Sequence, residues 1–289
     1  VTEVEQFIGG GVTLPSLPAL IEEAVLAASG QKDNFVQIAR LVQRDIGLSA
    51  QVLKIANSPY YGSSHRISNV SMAISRMGTR EFKIMAFSAA VINTFKDLES
   101  VLDMSAFWRH CLASSLASQL LSSPAELEME QELGDGAYYM AGLMHHVGIL
   151  VEAIKDPRRY MQARQFAQDS GWSMADSERR VFGFDHADVG AALLRMWRFP
   201  EDVCDAAQYH LRPGDATANR KTAQVVHLAA MLCHELEPDQ EHFEGVAPWF
   251  SEEAFYELGW TQENLPVLLR KLGECLGKAE RFREVLMSV

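Results

Sequence analysis

The most constraining stretch of the chain is Gly142-Leu143-Met144-His145-His146-Val147-Gly148, where two adjacent histidines sit inside an apolar run from Tyr138 to Val151. Neighbours on a helix point about 100° apart, so at least one of the two imidazoles faces the interior. A buried imidazole needs a hydrogen-bond partner, a metal ion or a ligand. From His110 through His145 and His186 to His210 the successive intervals are 35, 41 and 24 residues, and His227 follows. Each histidine alone reads most simply as a core or surface residue with ordinary partners. Taken together they are a candidate cluster.

Composition narrows the rest. With 289 residues, 48% of them hydrophobic, the chain can bury the core of one large domain or of two packed subdomains. A net charge of −12 argues against general nucleic-acid binding, because phosphate contacts need cations. Cys111, Cys204, Cys233 and Cys275 form no Cys-x-x-Cys pair, so neither a zinc knuckle nor a redox dithiol is indicated. Scattered thiols fit a reducing cytoplasm. No apolar run is long enough to span a bilayer, and no signal-peptide pattern opens the chain. It begins at Val1, not methionine, which allows a longer protein with further fused domains.

Apolar spacing predicts helices throughout and no convincing strands, so the chain reads as all-α. Residues 1–13, with Gly9-Gly10-Gly11, read as a tail or linker. Helices are expected over 18–29, 35–44, 48–56, 69–77 and 79–94, the last two split at Gly78. The polar stretch 97–102 is a seam. Beyond it come 105–122 with His110, a single buried helix over 137–154, then 157–170, 173–181, 191–197, 201–209 and 219–236 with His227. Helices over 251–258 and 265–287 close the chain. Tyr60 and Tyr61 lie in the loop Asn57-Ser58-Pro59-Tyr60-Tyr61-Gly62, where Pro and Gly make a packed turn the simpler reading and a partner contact the alternative. Trp249 and Phe250 are two more aromatics that could anchor a partner. Asp185 and Asp188 flank His186 and read as helix-start charges favoured by the dipole, or alternatively as supports or replacement ligands for a metal.

In order, these residues resemble the HDOD domain, a bacterial signalling module related to HD-type metal-dependent phosphohydrolases. The resemblance rests on Leu14-Pro15-Ser16-Leu17-Pro18; on Ala56 through Gly62; on Ala73-Ile74 with Met77-Gly78; on Phe107-Trp108; and on Gly142 through Gly148. It continues with Glu178, His186 with Val189-Gly190, and Trp197 with Phe199-Pro200 and His210. It covers about residues 14 to 236. It implies a multi-helix architecture of two packed helical subdomains, an N-terminal one over 14–97 and a degenerate HD-like core over 98–236, with helices from 237–289 packed on the core.

Departures from the HD pattern matter most. HD enzymes carry His-Asp where this chain has His145-His146, and a later aspartate where Val225-Val226-His227-Leu228-Ala229 has none. An imidazole can ligate a metal but cannot bridge two ions as a carboxylate does. Asp45 also lacks the proline that commonly follows it in the family. The surviving set His110, His145, His146, His186 and His210 could hold a single zinc, iron or nickel ion, although no cofactor is expected. The resemblance therefore implies a non-catalytic regulatory module acting on signalling proteins, with GGDEF or EAL proteins as possible partners. Two alternatives stay open. One is a metal-dependent phosphohydrolase acting on a nucleotide or cyclic dinucleotide, with Arg109, Lys155, Arg158, Arg159, Arg179 and Arg180 as candidate phosphate contacts. The other is a small-molecule sensor using the old active-site cleft.

Overall fold

The structure, a computed structural model, describes residues 2–16, 18–28, 35–58, 66–98, 101–122, 136–236 and 250–287. Every regular element among them is helical. The chain forms two compact units, residues 1–14 with 97–279, and residues 15–96 with 280–289.

The second unit contains α2 (Ala19–Ala28), α3 (Phe35–Arg44), α4 (Ile46–Ala56) and α5 (Val70–Thr94). Asp45 caps α4 by accepting from the Leu48 N–H at 3.0 Å. The split expected at Gly78 is a kink within α5, where Gly78 leaves helical geometry at φ 82°. Asn57, in the loop motif of the family, ties two segments together. Its amide accepts from Ile67 N at 2.8 Å and donates to Ile67 O at 2.8 Å and to Leu53 O at 2.7 Å. Gln51 is buried and exchanges two amide bonds with Asn93 at 3.0 and 2.9 Å. Tyr60, Tyr61 and Trp249 lie outside the described residues. Phe250 lies within them and packs its ring 5.9 Å from that of Phe255.

The first unit holds α1 (Glu3–Gly9), α6 (Met104–Leu121), α7 (Gly136–Met144), α8 (Val147–Lys155), α9 (Pro157–Ser170) and α10 (Met174–Phe182). It continues with α11 (His186–Met196), α12 (Glu201–Tyr209), α13 (Arg220–Leu236), α14 (Glu252–Glu257) and the first part of α15 (Leu265–Leu286). Helix α6 packs on α7 and α13, α11 on α8 and α12, and α12 on α7 and α13.

Three elements differ from expectation. Residues expected as a tail form α1, because Thr2 and Glu5 make a reciprocal capping box at 3.2 and 2.8 Å. Phe7 then anchors it, with ring centroids 5.7 Å from Phe182 and 5.2 Å from Phe184. The single helix expected over 137–154 is two helices, α7 and α8, broken at His145-His146. Helix α11 begins at His186, five residues earlier than expected, because Asp185 caps it and Asp188 completes the capping box.

The two glycines that bracket the histidine pair are points of closest approach. A Cβ on Gly142 would lie 2.6 Å from the Ser115 Cα and 2.8 Å from the Ser114 carbonyl oxygen, so α7 lies backbone to backbone against α6. A Cβ on Gly148 would lie 1.9 Å from the His186 carbonyl oxygen and 2.7 Å from the Gly190 nitrogen, so α8 crosses α11 with no room for a side chain. The motif thus sets its histidines between the helix that carries His110 and the helix that begins with His186.

Gly148→Ala is therefore expected to destabilise this unit by about 3 kcal/mol or more, since backbone rather than a movable side chain must give way. That lowers the thermal midpoint by several degrees in a circular-dichroism melt. Gly273→Ala, on α15 with nothing within 4 Å of the new Cβ, should leave the midpoint unchanged or slightly raised. Equal midpoints for wild type and Gly148→Ala would contradict the close crossing.

Candidate functional site

Four of the five clustered histidines sit at helix ends. A helix leaves its first N–H groups and last carbonyls without partners inside the helix, and those groups recruit side chains. His145 follows the last residue of α7, and its Nδ1 lies 2.7 Å from the Gly142 carbonyl oxygen. An uninterrupted helix would use that acceptor for the His146 N–H. His210 stands at the C-terminal cap of α12, with Nδ1 2.8 Å from the Ala207 carbonyl oxygen. His227, from α13, places Nδ1 2.7 Å from the carbonyl of His210 itself. His186 opens α11. Its backbone N–H and its ring Nδ1 both donate to the same Glu178 oxygen, at 2.9 and 2.6 Å.

These contacts settle the tautomers. A carbonyl oxygen only accepts, so the Nδ1 atoms of His145, His210 and His227 carry the proton and Nε2 keeps the lone pair. The Nε2 atoms of His145 and His210 are buried and make no hydrogen bond.

The rings converge. Centroids are 3.7 Å apart for His145 and His146, and 5.0 Å apart for His145 and His210. His146 lies 5.1 Å from both His186 and His210, and 5.2 Å from His110. Both members of the adjacent pair point into the cluster, which a continuous helix would forbid. The break makes it possible, with His146 at φ −100°, ψ 11°. Two triads, His110/His145/His146 and His146/His186/His210, each place their ligand atoms within 4.8 Å of one another. Among the described residues, these triads consist of imidazole alone. His110 is half-buried on α6, with Nε2 3.3 Å from Ser114 Oγ. His227 joins neither triad; it holds the carbonyl of His210.

Asp185 and Asp188 belong to neither triad. Asp185 caps α11 and pairs with Arg179, while Asp188 closes the capping box. Of the six basic candidates, Lys155, Arg159 and Arg179 are committed elsewhere. Lys155 donates to the carbonyls of Gly10 and Val12, both at 2.6 Å. Arg159 donates to the Val181 carbonyl and lies 4.5 Å over the Phe182 ring. Arg158 and Arg180 are exposed.

Sequence reasoning did not identify Glu152. It is fully buried beside Glu178, behind His186. Burial pushes its carboxyl well above the usual range, and the Glu178 carboxylate pushes it further. Glu178 in turn accepts from His186, so the two acids stand one behind the other on the far side of that ring. The available signal was a lone acid in the apolar run Val147–Ile154.

Burial depresses the pKa of His145, His146 and His210 well below that of free histidine, and the neighbouring imidazoles lower it further. Above about pH 6.5 these rings are neutral in both folded and unfolded chains, and their contribution to stability is intact. As pH falls below that value the unfolded chain takes up protons that the folded chain refuses. Stability then drops by roughly 1.4 kcal/mol per pH unit for each ring. Glu152, whose carboxyl is raised, works in the opposite direction and offsets part of this loss. Urea unfolding between about pH 7.5 and 5.5 should show a level midpoint down to about pH 6.5 and a steep fall over the last pH unit. His145→Gln should flatten the fall, and a flat profile in the wild type would refute the neutral buried cluster.

Residues 14–213 match the family model of the HDOD domain. Three crystal structures share the fold. An HDOD domain protein of unknown function from Geobacter sulfurreducens is 22% identical, with a TM-score of 0.81 over 99% of this chain and 98% of that one. A candidate signal transduction protein from Marinobacter aquaeolei VT8 is 21% identical, with a TM-score of 0.78 over 99% of this chain and 64% of that one. A candidate phosphohydrolase from Shewanella amazonensis SB2B is 20% identical, with a TM-score of 0.74 over 98% and 97%. The chain spans 37% of the length of the curated relative it matches, an uncharacterized protein of Treponema pallidum that is 22% identical over 201 residues. With its two-unit all-helical fold, its ordered motifs and a family model covering most of its length, the chain belongs to the HDOD domain family.

Proposed function

We propose that this chain is a non-catalytic regulatory module that acts by binding protein partners in a signalling pathway. The observation that carries this reading is the make-up and burial of the cluster. Its convergent ligand atoms are all imidazole nitrogens, and His145, His146, His186 and His210 are each no more than 2% exposed. Hydrolysis of a phosphoester needs charge gathered at the phosphate and room for the substrate. Here the carboxylates stand behind the rings, and Lys155, Arg159 and Arg179 are engaged with backbone or with Asp185. GGDEF or EAL proteins are the first partners to try. The four cysteines are free thiols, which suits the cytoplasm. No helix among the described residues is long and apolar enough to cross a membrane.

A second reading, a metal-dependent phosphohydrolase, draws on a specific observation. The orphaned Nε2 atoms of His145 and His210, each with its Nδ1 tied to a carbonyl, offer a lone pair to a transition-metal ion, one in each triad. His146, common to both triads, would be a ligand of either, with His186 and His210 or with His110 and His145 beside it. Such an ion would act as a Lewis acid or as a cross-link between helix ends. The same donor set serves the regulatory reading when the ion is purely structural.

Two measurements separate these readings. Protein loaded with zinc, ferrous iron or nickel is expected to retain about one ion per chain and to melt higher, with both effects lost in His146→Ala. Neither apo nor loaded protein should turn over bis(p-nitrophenyl) phosphate, ATP or a cyclic dinucleotide. Turnover that disappears in His146→Ala would overturn the regulatory reading. Co-elution with purified GGDEF or EAL proteins in size-exclusion chromatography is the direct test of the partner class.

A further inference from the structure

We infer that the outer face of the α9–α10 pair is a docking surface for an acidic protein segment carrying an aromatic or aliphatic anchor. The inference rests on the partner-binding reading above and names where, and by what chemistry, a partner would be held.

Met161 and Trp172 are 48% and 45% exposed. Trp172 follows the end of α9 and folds back onto half-buried Phe166, with ring centroids 5.1 Å apart at 90°. That contact explains how the indole is held, yet nearly half of it stays in solvent. The Arg180 guanidinium lies 5.4 Å from the Phe166 ring and extends the patch from α10. Arg158 stands on the same side of α9 as Met161, one turn earlier. Phe166 and Trp172 thus form an aromatic platform with the Arg180 guanidinium beside it, and Met161 with Arg158 adds an exposed apolar and cationic pair nearer the start of α9, a composition typical of interface anchors.

Charge selects the partner. Six of the 26 basic residues lie between 155 and 180 against four acids, a local excess of positive charge in a chain of net charge −12. Arg179, Arg195 and Arg220 are paired with carboxylates. Among the described residues Arg158 and Arg180 have no such partner, so both are available to carboxylates from another molecule. A nucleic acid would meet the repulsion of the strongly acidic remainder, which favours a short acidic protein segment over an extended polyphosphate. The patch also lies on the back of the site: α10 buries Glu178 against His186 on one side and exposes Arg180, two residues on, at the other.

The test is a selection of random linear peptides displayed on phage against the intact chain. The enriched peptides are expected to be rich in Asp and Glu around an aromatic or aliphatic residue. As synthetic peptides, they should bind about tenfold or more weakly to Trp172→Ala, Arg180→Glu and Arg158→Glu, and more weakly in high salt. Arg158→Glu and Arg180→Glu alter exposed side chains and should melt like wild type, which separates lost contact from lost fold. Enriched peptides without acidic bias, or peptides indifferent to all three substitutions, would overturn this surface while leaving the partner reading standing. A selection that enriches no binder would overturn this surface and count against the partner reading too. Tighter binding of oligo(dT) than of any selected peptide, lost in Arg180→Glu, would make the patch a nucleic-acid surface and overturn the inference.

Discussion

The site depends on hydrogen bonds that finish helices. The last carbonyls of α7 and α12 need donors, and the rings of His145, His210 and His227 supply them. The first N–H of α11 needs an acceptor, and Glu178 supplies one that also takes the ring proton of His186. The bonds that end each helix thereby fix a tautomer and aim a lone pair. The helix termini meet because Gly142 and Gly148 let α7 lie on α6 and α8 cross α11 at backbone contact. Remove the close crossings and the rings separate; remove the terminal bonds and they turn.

Burying so many imidazoles is tolerable only while they are neutral. Desolvation and mutual repulsion hold the pKa of His145, His146 and His210 well below that of free histidine, and burial beside Glu178 pushes the carboxyl of Glu152 up. The interior is thus a low-charge, nitrogen-rich pocket of rings rather than a charged pit. An HD-type enzyme relies on carboxylates at the metal to balance and bridge cations. Here imidazole occupies the position after His145, and α13 offers His227, which faces a backbone carbonyl instead.

Much of this was legible from residue pattern. Helical spacing identified nearly every element, and the proline and glycine breaks placed Gly78 and the start of α9 at Pro157. The HDOD motifs named the family that the chain belongs to. The misses share a cause, which is that local pattern carries no information about what lies across the interface. An apolar run through His145-His146 looks like one helix, because nothing in the sequence says that the His145 ring will take the Gly142 carbonyl. Thr2 and Glu5 look like polar tail residues until they cap a helix whose Phe7 finds Phe182 and Phe184, far along the chain. Glu152 looks like one acid on an amphipathic turn, and only packing shows it to be fully buried against Glu178.

By itself, the sequence determined an all-helical chain of this family and the set of imidazoles available. These follow from periodicity and residue identity, which are local properties. Only the tertiary structure decided that His110, His145, His146, His186 and His210 meet, while Asp185 and Asp188 turn away to cap α11. It also decided which ring nitrogens keep a lone pair and that Glu152 is buried beside Glu178. Those outcomes depend on helix crossings at Gly142 and Gly148 and on desolvation by residues remote in sequence. Neither is encoded in any one segment, because both exist only once separate helices share the same space.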